Sequence, residues 1–304
     1  MAESLLVLLP LFLLGAVAQP ISIEARVKER LRPFRGVAGL AAKNLITGET
    51  VLVNADARFP TASTIKTAVM VEVFHQIQEG RLRRDTLVTL TDEVKVGEPV
   101  VLNRLHAGLA LSVMDLVALM ITASDNTATN MLISLVGTAN VDRRLASYGL
   151  TQTKLFRPTF RDGRADVFPE EEREFGLGST TPREMARLME LIVEGKVVSR
   201  EACDEMLEIL EEQHDRAILP RLLPLEQGLR VGNKTGEDLE KHPDARGVHR
   251  YVRADAAIVR GPGVRYVVAF FTRQGEDTRS SVDNDAMVTG AAVSRLIYDH
   301  FKRP

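Results

Sequence analysis

Apolar residues recur with two different periods along this chain, and the change of period divides it into three parts. Ile23, Val27 and Leu31 stand at helical spacing, which predicts an amphipathic helix over residues 21–32, closed by Pro33. Two strand-like runs follow at 37–44 and 50–54, with Thr47 and Gly48 as the turn between them. From Ser63 to about Gly228 the spacing is mainly helical. Ile65, Val69, Val73 and Ile77 mark one apolar stripe, which places a core-packed helix after Ser63. Ser112 with Asp115 three residues on is close to a capping box, and Pro182 after Thr181 suits a first helical turn. Gly80, Gly137 and Gly195 read as helix stops.

The strand period returns at 230–235, 254–260 and 266–272, the last two joined by Gly261-Pro262-Gly263, and residues 285–302 close the chain as a helix. Strands at both ends around a helical middle predict one sheet built from the two termini and a separate helical lobe. The expected division is a sheet lobe over about 21–62 and 229–304 and a helical lobe over about 63–228.

Ahead of all this, residues 5–18 form an apolar run broken only by Pro10 and Gly15 and ending in Ala16-Val17-Ala18. The run is shorter than the roughly 20 residues of a membrane span, and its small-x-small end suits a signal peptidase. The n-region is acidic (Glu3), which departs from the usual basic start. The expectation is a signal peptide over 1–18, a mature domain over 19–304, no stable membrane span after cleavage, and a secreted or periplasmic location.

Composition narrows the chemistry. The chain has 304 residues, 39 basic against 41 acidic, so it lacks the basic footprint of a nucleic-acid binder. The absence of tryptophan and a total of four tyrosines leave few stacking platforms for sugars or bases. A single cysteine, Cys203, excludes an internal disulfide and a cysteine-ligated zinc site, and is expected as a buried helix residue. The six histidines show no metal-ligand spacing, so no metal and no cofactor is expected.

Three short motifs carry candidate chemistry. In Ser63-Thr64-Ile65-Lys66, positions i and i+3 of a helix face the same way, so the Lys66 amine can reach the Ser63 hydroxyl. A serine needs an adjacent base, and a desolvated lysine can serve. The plain alternative is Ser63 as an N-cap with Lys66 on a solvated face. Ser124-Asp125-Asn126 falls between two helices; it reads either as a cap or as a proton relay (Ser124) with a substrate clamp (Asn126). Lys234-Thr235-Gly236 closes the strand 230–235. There a lysine and a hydroxyl suit a substrate carboxylate and the glycine admits a close neighbour; the alternative is a solvated strand end.

The three together, in this order, resemble the signature of class A β-lactamases among the penicillin-recognising serine hydrolases. The resemblance extends over roughly residues 23–302, including Ser124 to Asn130 and Thr180-Thr181-Pro182. It implies an α/β fold with a five-stranded antiparallel sheet flanked by helices, plus an all-helical lobe. It implies Ser63 as acylated nucleophile, Lys66 as base, Ser124 as proton donor to the leaving nitrogen and Asn126 on the acyl amide. It further implies Lys234 and Thr235 on the substrate carboxylate, beside Gly236, and an oxyanion hole from the N–H groups of Ser63 and Glu237. The implied partner is a small β-lactam or a peptidoglycan-like peptide, and the implied state a monomer.

Two departures stand out. The family's loop glutamate, which activates the deacylating water, has no counterpart in register over 155–163. Asp162 is the preferred substitute, and the acidic run 170–172 is expected to be a solvated face. Glu237 and Asp238 directly after the glycine would repel an anionic substrate unless they point away. Three functions remain open on the sequence: a β-lactam hydrolase, a related D,D-peptidase or esterase that β-lactams inhibit, and a binding module on the same fold.

Overall fold

A computed structural model describes residues 21–98 and 100–302, so the signal-peptide expectation lies outside the described residues. Its centre is a five-stranded antiparallel sheet in the order β2-β1-β10-β9-β8. The strands are β1 (Val37–Asn44), β2 (Thr50–Val53), β8 (Arg230–Leu239), β9 (Tyr251–Gly261) and β10 (Val264–Gly275). Both ends of the chain contribute, as the two strand-period regions predict.

Alternation along β10 explains why both faces are covered. Val267, Ala269 and Phe271 belong to one apolar cluster, while Tyr266, Val268 and Phe270 belong to another. The second face is closed by α1 (Ile23–Leu31) and α9 (Asp285–Phe301) through Val27, Val293 and Ile297. Against the first lie α7 (Pro182–Val193), through Met185 and Met189, and α8 (Arg200–Glu211), through Leu207 and Leu210. Cys203 is fully buried on α8. A buried Phe, Leu or Met side chain stabilises by roughly 1.5–3 kcal/mol, so this double-sided layer dominates the favourable terms.

The remaining helices are α2 (Lys66–Gln78), α3 (Val113–Thr122), α4 (Asn126–Val136), α5 (Thr138–Ser147) and α6 (Pro169–Phe175). Ser112 and Asp115 form the expected capping box on α3. Gly80, Gly137 and Gly195 all have φ between +72° and +82°, the left-handed conformation that ends a helix.

The helix after Ser63 is packed into the core, as the stripe Ile65, Val69 and Val73 predicts, and burial extends all round it: every residue from Lys66 to Phe74 is buried, because α3, α4, α5 and α8 surround α2. One expectation needs correction. Strand β8 continues to Leu239, so Lys234-Thr235-Gly236 lies inside an edge strand rather than at its end. Polar residues hide that extension from a pattern search, yet Glu237 and Asp238 pair with Arg253 and Val252 of β9. The chain also holds a set of strands too short for any period to register. These are β3 (Phe59–Pro60), β6 (Lys154–Leu155) and β7 (Gly178–Thr180) in one small sheet, and β4 (Leu87–Thr89) with β5 (Ala110–Ser112) in another. Among the described residues no helix is long and apolar enough to cross a membrane.

Candidate active site

The small sheet delivers Ser63. Strand β3 ends at Pro60, and Thr61 N donates to Gly178 O at 2.9 Å, which anchors the chain before it turns. Ala62 then adopts φ +44°, an unfavourable conformation for a residue with a Cβ that persists only where the surroundings enforce it. A 3-10 turn over Ala62–Ile65 runs directly into α2. Ser63 is therefore not an N-cap: Ile65 holds that position and makes no side-chain cap bond. The edge strand presses on the same turn. A Cβ added at Gly236 would lie 2.8 Å from Thr61 O and 3.0 Å from Ser63 N, so the glycine is required by this close approach.

Lys66 is fully buried, not solvated. Its Nζ donates to Ser124 O at 2.7 Å, to Asn126 Oδ1 at 2.8 Å and to Ser124 Oγ at 3.1 Å. The expected bond to the Ser63 hydroxyl is not among these, because three acceptors on the facing segment take the amine. From the opposite side Lys234 Nζ donates to the same Ser124 Oγ at 3.1 Å and to Thr235 O at 3.0 Å. One hydroxyl thus lies between two buried amines. Burial, then the charge of Lys234, holds the Lys66 amine well below its ordinary range, with Asp125 opposing. Burial lowers Lys234 to about 8, against the opposing charges of Asp215 and Asp255.

The cap reading of Ser124-Asp125-Asn126 holds for Asp125 alone. Asp125 caps α4 through Ala128 N at 2.9 Å and takes the N–H groups of Val101 (3.1 Å) and Leu102 (2.9 Å). That fixed cap leaves Ser124, at φ +56°, and Asn126 turned to Lys66.

Of the expected residues, Ser63, Asn126 and Glu237 line one cavity of about 120 Å³, together with Arg157, Thr159 and Asp162. Lys66, Ser124, Lys234, Thr235 and Gly236 are not on its wall. Thr235 instead faces Asp255 across the sheet, where Asn233 Nδ2 donates to Asp255 Oδ1 at 3.0 Å. Burial pushes the Asp255 carboxyl up to about 7. The two acids after the glycine part company: Glu237 forms an ion pair with the buried Arg253 directly opposite on β9, and Asp238 has no ion pair among the described residues.

The loop over 156–168 forms the remaining wall, and its key residues are ones the sequence reading passed over. Asn130, one helical turn beyond Asn126, donates through Nδ2 to Thr159 O at 3.0 Å and accepts from Thr159 N at 2.8 Å. Thr159 is thereby the buried loop residue fixed beside Ser63 and Asn126. Arg157, also buried, donates to Glu172 at 2.8 Å and to Asp162. Asp162 lines the cavity as expected, but its carboxylate is engaged by Arg157 and by Lys241 at 3.1 Å. The acidic run is not a uniform solvated face. Glu172 is buried on Arg157, and Glu171 pairs with Arg58 and with Lys154 at 2.7 Å, while Glu170 alone is fully outward. Basic partners distant in sequence explain this, and no local pattern announces them.

A serine on an enforced turn, a buried amine of lowered basicity and a hydroxyl shared between two amines define the class: a serine hydrolase. The description "Beta-lactamase enzyme family" matches residues 22–301. Beta-lactamase L2 of Stenotrophomonas maltophilia is 30% identical over 223 residues, 71% of this chain and 68% of that protein. The β-lactamase structure from Sphaerobacter thermophilus superposes with a TM-score of 0.76 at 31% identity, covering 92% of this chain and 96% of that one. PBP-A is similar at the same TM-score of 0.76 and 28% identity, over 92% and 96% of the two chains, and an acyl-enzyme of a variant of it with penicillin G is among the matching structures. The chain belongs to the β-lactamase enzyme family.

Proposed function

We propose that the protein acylates Ser63 with β-lactams and hydrolyses the resulting ester slowly. The observation that carries this reading is the buried chain Lys66–Ser124–Lys234 beside the Ser63 turn. In acylation, Ser63 Oγ bonds to the lactam carbonyl carbon and gives its proton to the neutral form of Lys66 Nζ, a form that the lowered basicity of this buried amine favours. As the ring C–N bond breaks, its electron pair stays on nitrogen, which takes a proton from Ser124 Oγ; Lys66 then reprotonates Ser124. Asn126 takes the acyl amide, and Lys234 with Thr235 takes the substrate carboxylate. The N–H groups of Ser63 and Glu237 stabilise the carbonyl oxygen, a role supported by the 3.0 Å approach of the Gly236 Cβ position to Ser63 N.

Deacylation needs a water activated by a base. Thr159 offers a hydroxyl where a carboxylate is required, and the one acid on the loop wall, Asp162, is held in ion pairs. That observation favours a second reading, a D,D-peptidase or esterase that β-lactams trap. The cleft of either enzyme lies between the sheet lobe (21–62, 229–304) and the helical lobe (63–228), in a secreted or periplasmic monomer freed of residues 1–18. Incubation with a chromogenic cephalosporin and a fluorescent penicillin separates the readings. Slow multiple turnover lost in Ser63→Ala supports the hydrolase; a permanent stoichiometric adduct without turnover supports the trapped peptidase or esterase.

A further inference from the structure

We propose that Asp238 makes the Ser63 cleft select substrates whose acyl side chain carries a protonated amine and reject those carrying a carboxylate there. The proposal rests on the acyl-transfer reading of Ser63 and names the substrate class of that same site.

Side chains of a strand alternate between its faces. Lys234 reaches Ser124, and Gly236 abuts the Thr61–Ser63 backbone, so Asp238, two residues further along β8, shares their face. It lines the 120 Å³ cavity with Ser63 and Asn126. The other two acids on that wall are already ion-paired. Glu237 is paired with Arg253 across the strands, and Asp162 with Arg157 and Lys241. Asp238 differs: its one hydrogen bond among the described residues is from Leu239 N at 2.8 Å, and no cation pairs with it.

Asp238 is solvent-exposed at the rim of the cleft, where partial loss of hydration raises its carboxyl above its ordinary range, with the nearby charge of Asp162 acting in the same direction and Arg157 and Lys241 opposing. A carboxylate in that state gains by acquiring an ammonium and resists a second anion. With the ring carbonyl at Ser63 and the acyl amide at Asn126, the walls left for the acyl side chain are Asp238 and the loop at 157–162. Asp238 is therefore the charge that this part of the substrate meets.

Ampicillin, benzylpenicillin and carbenicillin differ at one carbon, which bears an ammonium, a hydrogen or a carboxylate. Second-order acylation constants of the full chain, measured by competition with a fluorescent penicillin, are expected to fall in that order. The spread between the extremes is expected to be about fivefold, the upper end for one exposed ion pair. In Asp238→Asn the three constants should converge to within about twofold. Should that variant fail to fold, high salt on the wild type replaces it, since screening compresses an electrostatic order. Equal constants in the wild type, or an order that persists in Asp238→Asn or in high salt, overturn the assignment of Asp238 while leaving Ser63 acylation intact. No adduct with any of the three penicillins refutes the acyl-transfer reading and the proposal with it.

Discussion

Asn130 grips Thr159 by both backbone groups, at 3.0 Å to its carbonyl oxygen and 2.8 Å from its N–H. This clamp puts a hydroxyl on the wall of the Ser63 cavity, where, on the proposed mechanism, a carboxylate would activate the deacylating water. Thr159→Glu should therefore accelerate deacylation. Turnover of a chromogenic cephalosporin is expected to rise by about tenfold or more, a fraction of the roughly 10²–10⁴-fold that a fully positioned general base supplies. A folded Thr159→Glu protein with unchanged turnover would show that the missing carboxylate is not what limits the second step.

Lys66 and Lys234 should impose opposite limits on the pH profile of acylation. Lys66 has to be neutral to accept a proton, so its lowered basicity extends its competence to lower pH than an ordinary lysine allows. Lys234 has to be charged to hold the substrate carboxylate, and it loses its proton as pH rises through about 8. The acylation constant is expected to decline above that pH. In Lys234→Arg, whose guanidinium does not discharge in this range, the decline should move to higher pH whatever the absolute rate. An alkaline limb that stays near 8 in that variant assigns it to another group.

Gly236→Ala tests the contact between the edge strand and the nucleophile turn. Its Cβ would lie 2.8 Å from a backbone oxygen, so strand or turn has to shift. Overpacking of this kind costs about 1–3 kcal/mol, and thermal denaturation should register it. Because Ser63 N moves with the turn, acylation should fall by more than the loss of stability explains. Normal acylation in a destabilised variant would separate the contact from the chemistry.

What the sequence disclosed and what it concealed divide along the range of the interactions. The strands β1 and β10 and the helix caps at Ser112 and Thr181 follow from period and local capping, which act over a few residues. Ser63, Ser124 and Lys234 were found through three motifs, and the chain of hydrogen bonds between Lys66, Ser124 and Lys234 links those motifs. The Glu237–Arg253 pair needed the β8–β9 register, and the Arg157–Glu172 pair needed the path of the loop; neither has a local signature. The direction of Lys66 is hidden from local sequence for a related reason: its acceptors, on Ser124 and Asn126, stand about sixty residues away.

The buried pair Arg157–Glu172 should matter to folding more than to chemistry. Both side chains are almost wholly enclosed, and removing one leaves the other buried without its counter-charge. Arg157→Ala is expected to cost about 3–5 kcal/mol in chemical denaturation, and to loosen the loop that carries Thr159. A loss under about 1 kcal/mol would mean that water or Lys241, 3.5 Å from Glu172, takes over the role of the guanidinium.

The sheet drawn from both chain ends sets a clock on activity. The nucleophile turn is braced by Gly236, and Ser124 receives its second amine from Lys234, so a chain still emerging from the ribosome has Ser63 long before it has a reaction centre. Contacts across such sequence separations form late. Polypeptides ending before β8 are expected to leave a fluorescent penicillin unmodified, although they already carry Ser63, Lys66, Ser124 and Asn126. Synthesis therefore yields a reagent that stays inert until its last strands have docked.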